Sequence, residues 1–164
     1  MTFEIRRAFT TDAARIVEIE RAAGLEPWPE GDYELEAVRR DSALLVATEP
    51  GSGRIVAFLL ARLITIDSNA TENPNSIREG EVLNFAVDLL FRRANLGTAL
   101  FRGLVSDAEP AVAVIHLEVR ASNSGARQFY RKLGFSDTGI RPRFYRDPDD
   151  DAILMTWKRE PGPA

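Results

Sequence analysis

The stretch Glu81-Val82-Leu83-Asn84-Phe85-Ala86-Val87-Asp88-Leu89-Leu90-Phe91-Arg92-Arg93-Ala94-Asn95-Leu96-Gly97 decides how this chain is read. It opens as an apolar run, Val82 to Val87, with the character of a buried strand. It passes through Asp88 to Phe91 into a basic turn, Arg92 to Gly97, and continues as a helix, Thr98-Ala99-Leu100-Phe101-Arg102-Gly103-Leu104-Val105. A strand, a basic turn and a helix start make an anion site. The first amides of a helix lack intrahelical partners, and the helix dipole adds partial positive charge there. Two arginines add forked donors that suit phosphate. The expected ligand therefore carries a phosphate or pyrophosphate. The plainer alternative is a solvated, charged helix start.

Composition narrows the classes. The 164 residues fit one domain with an adequate core. Apolar residues at 45% and charged residues at 28% suit a globular protein. No apolar run approaches the roughly 20 residues of a membrane helix, and Met1 to Arg6 shows no leader pattern, so no membrane partner and a cytoplasmic location are expected. With no cysteine, disulfides, thiolate metal sites and a cysteine nucleophile are excluded. A single histidine, His116, argues against a histidine metal site or a Ser-His-Asp triad, so no metal is expected. The net charge of -4 argues against nucleic-acid binding and permits a basic peptide partner.

Outward from the central stretch, Phe3 to Ala8 alternates as a strand. Thr10, Thr11 or Asp12 can cap a helix over Ala13 to Arg21 that stops at Gly24. Glu26-Pro27-Trp28-Pro29-Glu30-Gly31 is a breaker-rich loop, followed by a helix around Tyr33 to Arg40. Ala43 to Thr48 and Arg54 to Ile64 form a hairpin about the turn Glu49 to Gly53. A polar loop, 67–78, follows; it is either functional or a tolerated insertion. Val112 to Val119 is a strongly apolar strand carrying Glu118, with Ser122 as a cap for a helix over Ala126 to Leu133 that stops at Gly134. Phe135 to Tyr145 is a strand that bends or lies at an edge because of Pro142. Asp147 to Asp151 turns the chain into a last strand, Ala152 to Trp157, and the tail 161–164 is expected to fray. The order β-α-α-β-β-β-α-β-α-β-β is that of one mixed α/β domain over residues 1–160.

These segments resemble the GNAT acyl-CoA N-acyltransferase superfamily, and within it the RimI-type peptide N-terminal acetyltransferases. Asn84 to Gly97 is similar to the family's pyrophosphate loop, [Q/R]-x-x-G-x-[G/A]. Leu117-Glu118-Val119-Arg120-Ala121-Ser122-Asn123 is similar to the RimI strand and the turn after it. Phe129-Tyr130-Arg131-Lys132-Leu133-Gly134-Phe135 resembles the family's helix and tyrosine, and Asp151 to Met155 its last strand. The motifs run in the family's order across most of Glu81 to Trp157. One position departs: Asn95 stands where the loop has glycine, although asparagine tolerates positive φ best among side chains.

The resemblance implies a GNAT fold, a central mixed sheet of about seven strands flanked by about four helices. It implies acetyl-CoA as co-substrate and a protein or peptide α-amine as acceptor, the N-terminal alanine of ribosomal protein S18 leading. Glu118 is the implied base, through a water; the alternative is pairing with an arginine such as Arg120. Tyr130 is the implied acid, since a phenol near pKa 10 keeps its proton at pH 7; the alternative is corner packing, as for Phe129. Phe85, Ala86 and Val87 are implied to pair with the pantetheine arm, the Val87 amide serving as oxyanion donor. Arg92, Arg93, Ala94, Asn95, Leu96, Gly97 and Thr98 are implied to cradle the pyrophosphate, and Asn123 to bond the cofactor arm. Trp28, Phe144, Tyr145 and the loop near Pro74 are implied to border the acceptor. Direct transfer needs no acyl-enzyme. Two rival readings stand beside it: a GNAT enzyme acting on a small amine, amino acid or antibiotic, and a non-catalytic acyl-CoA-binding or interaction module.

Overall fold

The structure, a computed structural model, describes residues 2–66, 77–106 and 111–160; the polar stretch 67–76, with Pro74, and the tail 161–164 lie outside the described residues. The elements are β1 (Glu4–Arg7), α1 (Ala13–Ala22), α2 (Glu30–Val38), β2 (Ser42–Thr48), β3 (Ile55–Thr65), β4 (Arg78–Val87), α3 (Leu96–Ser106), β5 (Val112–Arg120), α4 (Ser124–Lys132), β6 (Ser136–Tyr145) and β7 (Asp150–Lys158), in the order expected. The seven strands form a sheet in the order β1-β2-β3-β4-β5-β7-β6. It is mixed: β4 and β5 run parallel, while β1–β2, β2–β3, β5–β7 and β6–β7 are antiparallel. Among the described residues no helix is long and apolar enough to cross a membrane.

The chain divides into two compact units, residues 1–63 with 83–109, and residues 64–82 with 110–164. In the first unit, Leu44 and Val46 of β2 pack with Ile16 and Ile19 of α1 and Tyr33 of α2, while Phe58 and Leu60 come from β3. Leu45, on the other face of β2, reaches α3. There Gly103 comes so near that an added Cβ would lie 3.2 Å from Ile5 and 3.7 Å from Leu45. Both faces of β2 are thus covered, which is why it reads as an unbroken apolar run. α1 turns Ala13, Ile16, Val17 and Glu20 inward, the i, i+3, i+4, i+7 spacing of one helix face. Its start differs from expectation. Thr10–Asp12 form a 3-10 turn, and no side chain caps α1. Asp12 instead accepts the Phe9 N–H at 2.8 Å and pairs with Arg6 at 2.7 Å.

In the second unit, β5 supplies the core through Val112, Ile115, Leu117 and Val119, and β7 through Ala152, Ile153 and Met155. β6 lies at the sheet edge, as Pro142 required. Its register breaks between Arg141 and Tyr145, and Arg143 there adopts φ 50° with its N–H bonded to the Asp151 carboxylate at 2.7 Å. The cap of α4 is Asn123, whose Oδ1 accepts the Ala126 N–H at 3.1 Å. Ser122, the expected cap, donates instead to Asp150 at 2.6 Å. α4 ends at Gly134, whose φ of 99° lets Phe135 N–H return to the Tyr130 carbonyl at 3.0 Å, a glycine-terminated helix end.

Candidate active site

In the first unit, the end of β4 leads through a 3-10 turn, Leu89–Phe91, into the basic turn. Asp88 anchors this passage. Its carboxylate accepts the Leu90 N–H at 3.0 Å and pairs with Arg15 at 2.5 Å and Arg54 at 3.1 Å, while its own N–H bonds the Val56 carbonyl at 2.8 Å. Burial pushes the Asp88 carboxyl up, but the Leu90 N–H and the two arginines outweigh it and hold the group below its ordinary 3.8. Beyond it, Arg92, Arg93, Ala94 and Asn95 are exposed, and Leu96 and Gly97 are buried as the first residues of α3. Arg93 and Asn95 both adopt left-handed backbone, φ 68° and 56°. The Asn95 carbonyl accepts the Ala99 N–H at 3.0 Å, closing the first turn of α3. The amides of Leu96, Gly97 and Thr98 precede the first intrahelical donor and point out of the helix start. In the same unit, Trp28 stacks on Tyr33 at 5.7 Å. It lines an open recess of about 380 Å³ with Glu26, Pro27, Pro29 and Asp32.

In the second unit, Glu118 is partly buried near the end of β5 and pairs with Arg141 of β6 at 2.8 Å. Arg120 is not its partner. The Arg120 guanidinium donates to the carbonyls of Pro148 at 2.9 Å and Arg146 at 3.1 Å and lies 4.4 Å over the Tyr145 ring. Phe144 meets Tyr145 edge-on at 5.1 Å and has Arg141 over its face at 5.5 Å. So Glu118, Phe144 and Tyr145 form one cluster laced by two arginines. Burial, then the charge of Glu118, raises the Tyr145 phenol above its ordinary value, with Arg120 opposing. Tyr130 on α4 packs between Phe129 at 5.3 Å and Phe135 at 5.5 Å. Burial first, and Tyr145 second, push its phenol far above the ordinary 10.0. His116 bonds Thr156 at 3.0 Å.

An acetyltransferase (GNAT) family model matches residues 13–135 of the chain, well over half its length. The chain belongs to the GNAT acetyltransferase family. As a GNAT protein it is an acetyl-CoA-dependent N-acyltransferase. It is 32% identical over 155 residues to an N-alpha-acetyltransferase of Sulfurisphaera tokodaii, covering 93% of this chain and 91% of the relative. It is 32% identical over 149 residues to a ribosomal protein bS18-alanine N-acetyltransferase of Escherichia coli, covering 89% and 90%. Its fold is similar to the crystal structure of the Escherichia coli ribosomal-protein-S18-alanine N-acetyltransferase, with a TM-score of 0.80, 29% identity, and coverage of 99% and 97%.

The basic turn fits the pyrophosphate of a GNAT co-substrate. Its donors are outward helix-start amides and two exposed guanidinium groups, and the left-handed Asn95 takes the backbone shape for which the family's loop uses glycine. The residue expected to bond the cofactor arm, Asn123, has its Oδ1 committed to the α4 cap. In the acidic turn, the Asp150 and Asp151 carboxylates accept from the backbone N–H groups of Ser122 and Arg143. Sequence reading did not single out Arg141, Arg15 or Glu20. Glu20 had a signal: it sits seven residues after Ala13 on the apolar face of α1, a seat where a carboxylate must be bonded. Arg15 and Arg141 had none, since their partners are 73 and 23 positions away and only the fold supplies them.

Proposed function

We propose that this chain transfers an acetyl group from acetyl-CoA to the N-terminal α-amine of a protein, with the N-terminal alanine of ribosomal protein S18 as the first acceptor to try, in the cytoplasm. The reading is carried by the two relatives at 32% identity, which match across about nine tenths of their own lengths. Acetyl-CoA, when bound, supplies an activated thioester. The outward amides at the start of α3, with Arg92 and Arg93, hold its pyrophosphate. Phe85, Ala86 and Val87 hold its arm, and the Val87 N–H donates to the thioester oxygen as negative charge develops there. Each unit carries residues that the resemblance assigns to the acceptor, Trp28 in the first and Phe144 and Tyr145 in the second.

The new bond joins the neutral amine nitrogen to the acetyl carbon, and the carbon–sulfur bond breaks. Glu118 takes the proton that the amine loses, through a water, with Arg141 holding the carboxylate in place. Tyr130 gives its proton to the departing sulfur. A phenol with an ordinary pKa near 10 already carries that proton at neutral pH.

The test mixes the protein with acetyl-CoA and a peptide panel that includes the S18 N-terminus of its own host, and reads the mass of each product. Acetyl is expected at the α-amine, with turnover reduced about a hundredfold in Glu118→Gln and in Tyr130→Phe and acetyl-CoA affinity little changed. Wild-type rates in both variants would remove the catalytic assignment. Acetylation of small amines alone would move the acceptor to that class.

A further inference from the structure

Glu20 on α1 is fully buried. Its Oε2 accepts the Trp28 backbone N–H at 3.0 Å, and its Oε1 accepts the Asn84 side-chain amide. The same amide nitrogen donates to the Tyr33 hydroxyl at 2.8 Å, and the Tyr33 hydroxyl helps to hold the Glu20 carboxyl down. Asn84 Oδ1 in turn takes the Phe85 N–H at 2.9 Å. One carboxylate thus ties α1 to the Trp28 loop, to α2 through Tyr33, and to β4 one residue before Phe85.

Stability does not account for a carboxylate in this seat. Burial raises the Glu20 carboxyl above its ordinary 4.5, and the Trp28, Asn84 and Tyr33 donors only partly oppose it. A leucine there would fill the core with no charge to desolvate. A leucine has no oxygens to fix the Trp28 N–H and the Asn84 amide together. Fixing the amide sets which way Asn84 Oδ1 points, and therefore what the Phe85 N–H binds.

We propose that Glu20 is a positioning residue, holding the Trp28 loop and the Asn84-Phe85 segment of β4 as one hydrogen-bonded unit. The inference rests on the reading above, in which Trp28 borders the acceptor and Phe85 to Val87 carry the thioester arm. Acetyl-CoA affinity comes mainly from the basic turn, which Glu20 does not touch. The residue should therefore govern the acceptor and the rate more than co-substrate binding.

The experiment compares wild type, Glu20→Gln, Asn84→Ala and the double variant in steady-state acetylation of the best peptide, with acetyl-CoA binding by calorimetry. Glutamine puts an NH2 donor among groups that already donate. Glu20→Gln is expected to lower kcat/KM for peptide about tenfold, with less than about a threefold change in acetyl-CoA affinity. The double variant should be no worse than the poorer single one, since both break the same link. Glu20→Gln with wild-type kcat/KM and only a lower Tm would overturn the proposal and leave a packing role. If Glu20→Gln does not fold, Tyr33→Phe, which removes only the hydroxyl, should show the same loss at about threefold, and no loss would overturn it. Amide exchange at Trp28 needs no turnover. Its N–H should be slow in wild type and fast in Glu20→Gln. Equal exchange overturns the proposal even if wild type acetylates no peptide, a result that by itself would sink only the acceptor reading.

Discussion

Asp88 shows how a single side chain can hold a site it does not form. It sits between β4 and the basic turn, capping Leu89–Phe91 and pairing with Arg15 and Arg54. Its folded carboxyl lies below 3.8, so the unfolded state binds more protons than the folded state as pH falls through the ordinary range. Its contribution is whole above about pH 5 and is lost as pH falls through the folded value. Asp88→Asn should therefore cost about 2 kcal/mol at pH 7. The difference from wild type should close as pH falls toward 2, where aspartate is also neutral; urea unfolding at several pH values measures it. A constant difference would mean that charge is not what the residue supplies. Glu118 makes the complementary point. The resemblance of the run Leu117 to Asn123 is what marked Glu118 as the implied base. Its partner was not legible, because Arg141 stands on a strand that reaches it only by pairing with β7.

At the scale of elements, the turn from β4 into α3 and the crossing of α3 over β2 each depend on one backbone. Asn95 holds φ 56° at the start of α3. Asn95→Val places a β-branched side chain there at a cost of about 1–2 kcal/mol. It should weaken acetyl-CoA binding several-fold by calorimetry, whereas Asn95→Gly should bind at least as well as wild type. Gly103 in the interior of α3 lowers helix propensity by about 1 kcal/mol relative to alanine, and its reason is tertiary: Ile5 stands 3.2 Å from where a Cβ would be. Gly103→Val should overpack that crossing and cost about 1–3 kcal/mol in chemical unfolding. An unchanged midpoint would show that α3 can shift without penalty. The alternating and continuous apolar runs gave the strands, and punctuation at Gly24 and Gly134 gave two helix ends. The caps were harder. Ser122 and Asn123 are both good cap residues one position apart, and the Asp150 carboxylate decides which of them is free for α4.

For the molecule as a whole, the shifted carboxyls have opposite signs. Asp12, Glu36, Asp88, Asp137 and Asp150 are all held below their ordinary values, as is Asp41 by the Arg39 guanidinium. For the first four, burial opposes the lowering and arginine partners or backbone N–H groups overcome it; for Asp150 the Ser122 hydroxyl leads. Their contributions are present above about pH 5 and vanish in acid. Glu20 alone among these carboxyls is raised, chiefly by burial, and it favours the folded state as pH falls. The lowered groups outnumber it, so the urea midpoint should fall steadily between about pH 5 and pH 2. The Glu20 contribution grows as pH falls toward its ordinary 4.5 and is constant below it, so Glu20→Gln should lose stability relative to wild type as pH falls to about 4.5 and then fall in parallel with it. A midpoint flat across this range would mean that these pairs persist in the unfolded chain.

The sequence by itself determined the order of strands and helices, the basic turn into α3 and the family. Each of these is written in local patterns of apolar period, breaker residues and short motifs, and each survives reading a few residues at a time. Only the tertiary structure decided which groups those residues meet: Arg141 for Glu118, Arg15 and Arg54 for Asp88, and Tyr33, Asn84 and the Trp28 amide for Glu20. Hydrogen bonds and ion pairs act over about 3 Å, and the partners here lie tens of residues apart in the chain. Their pairing is set by sheet register and by which elements the fold packs together, and no local run of residues records either.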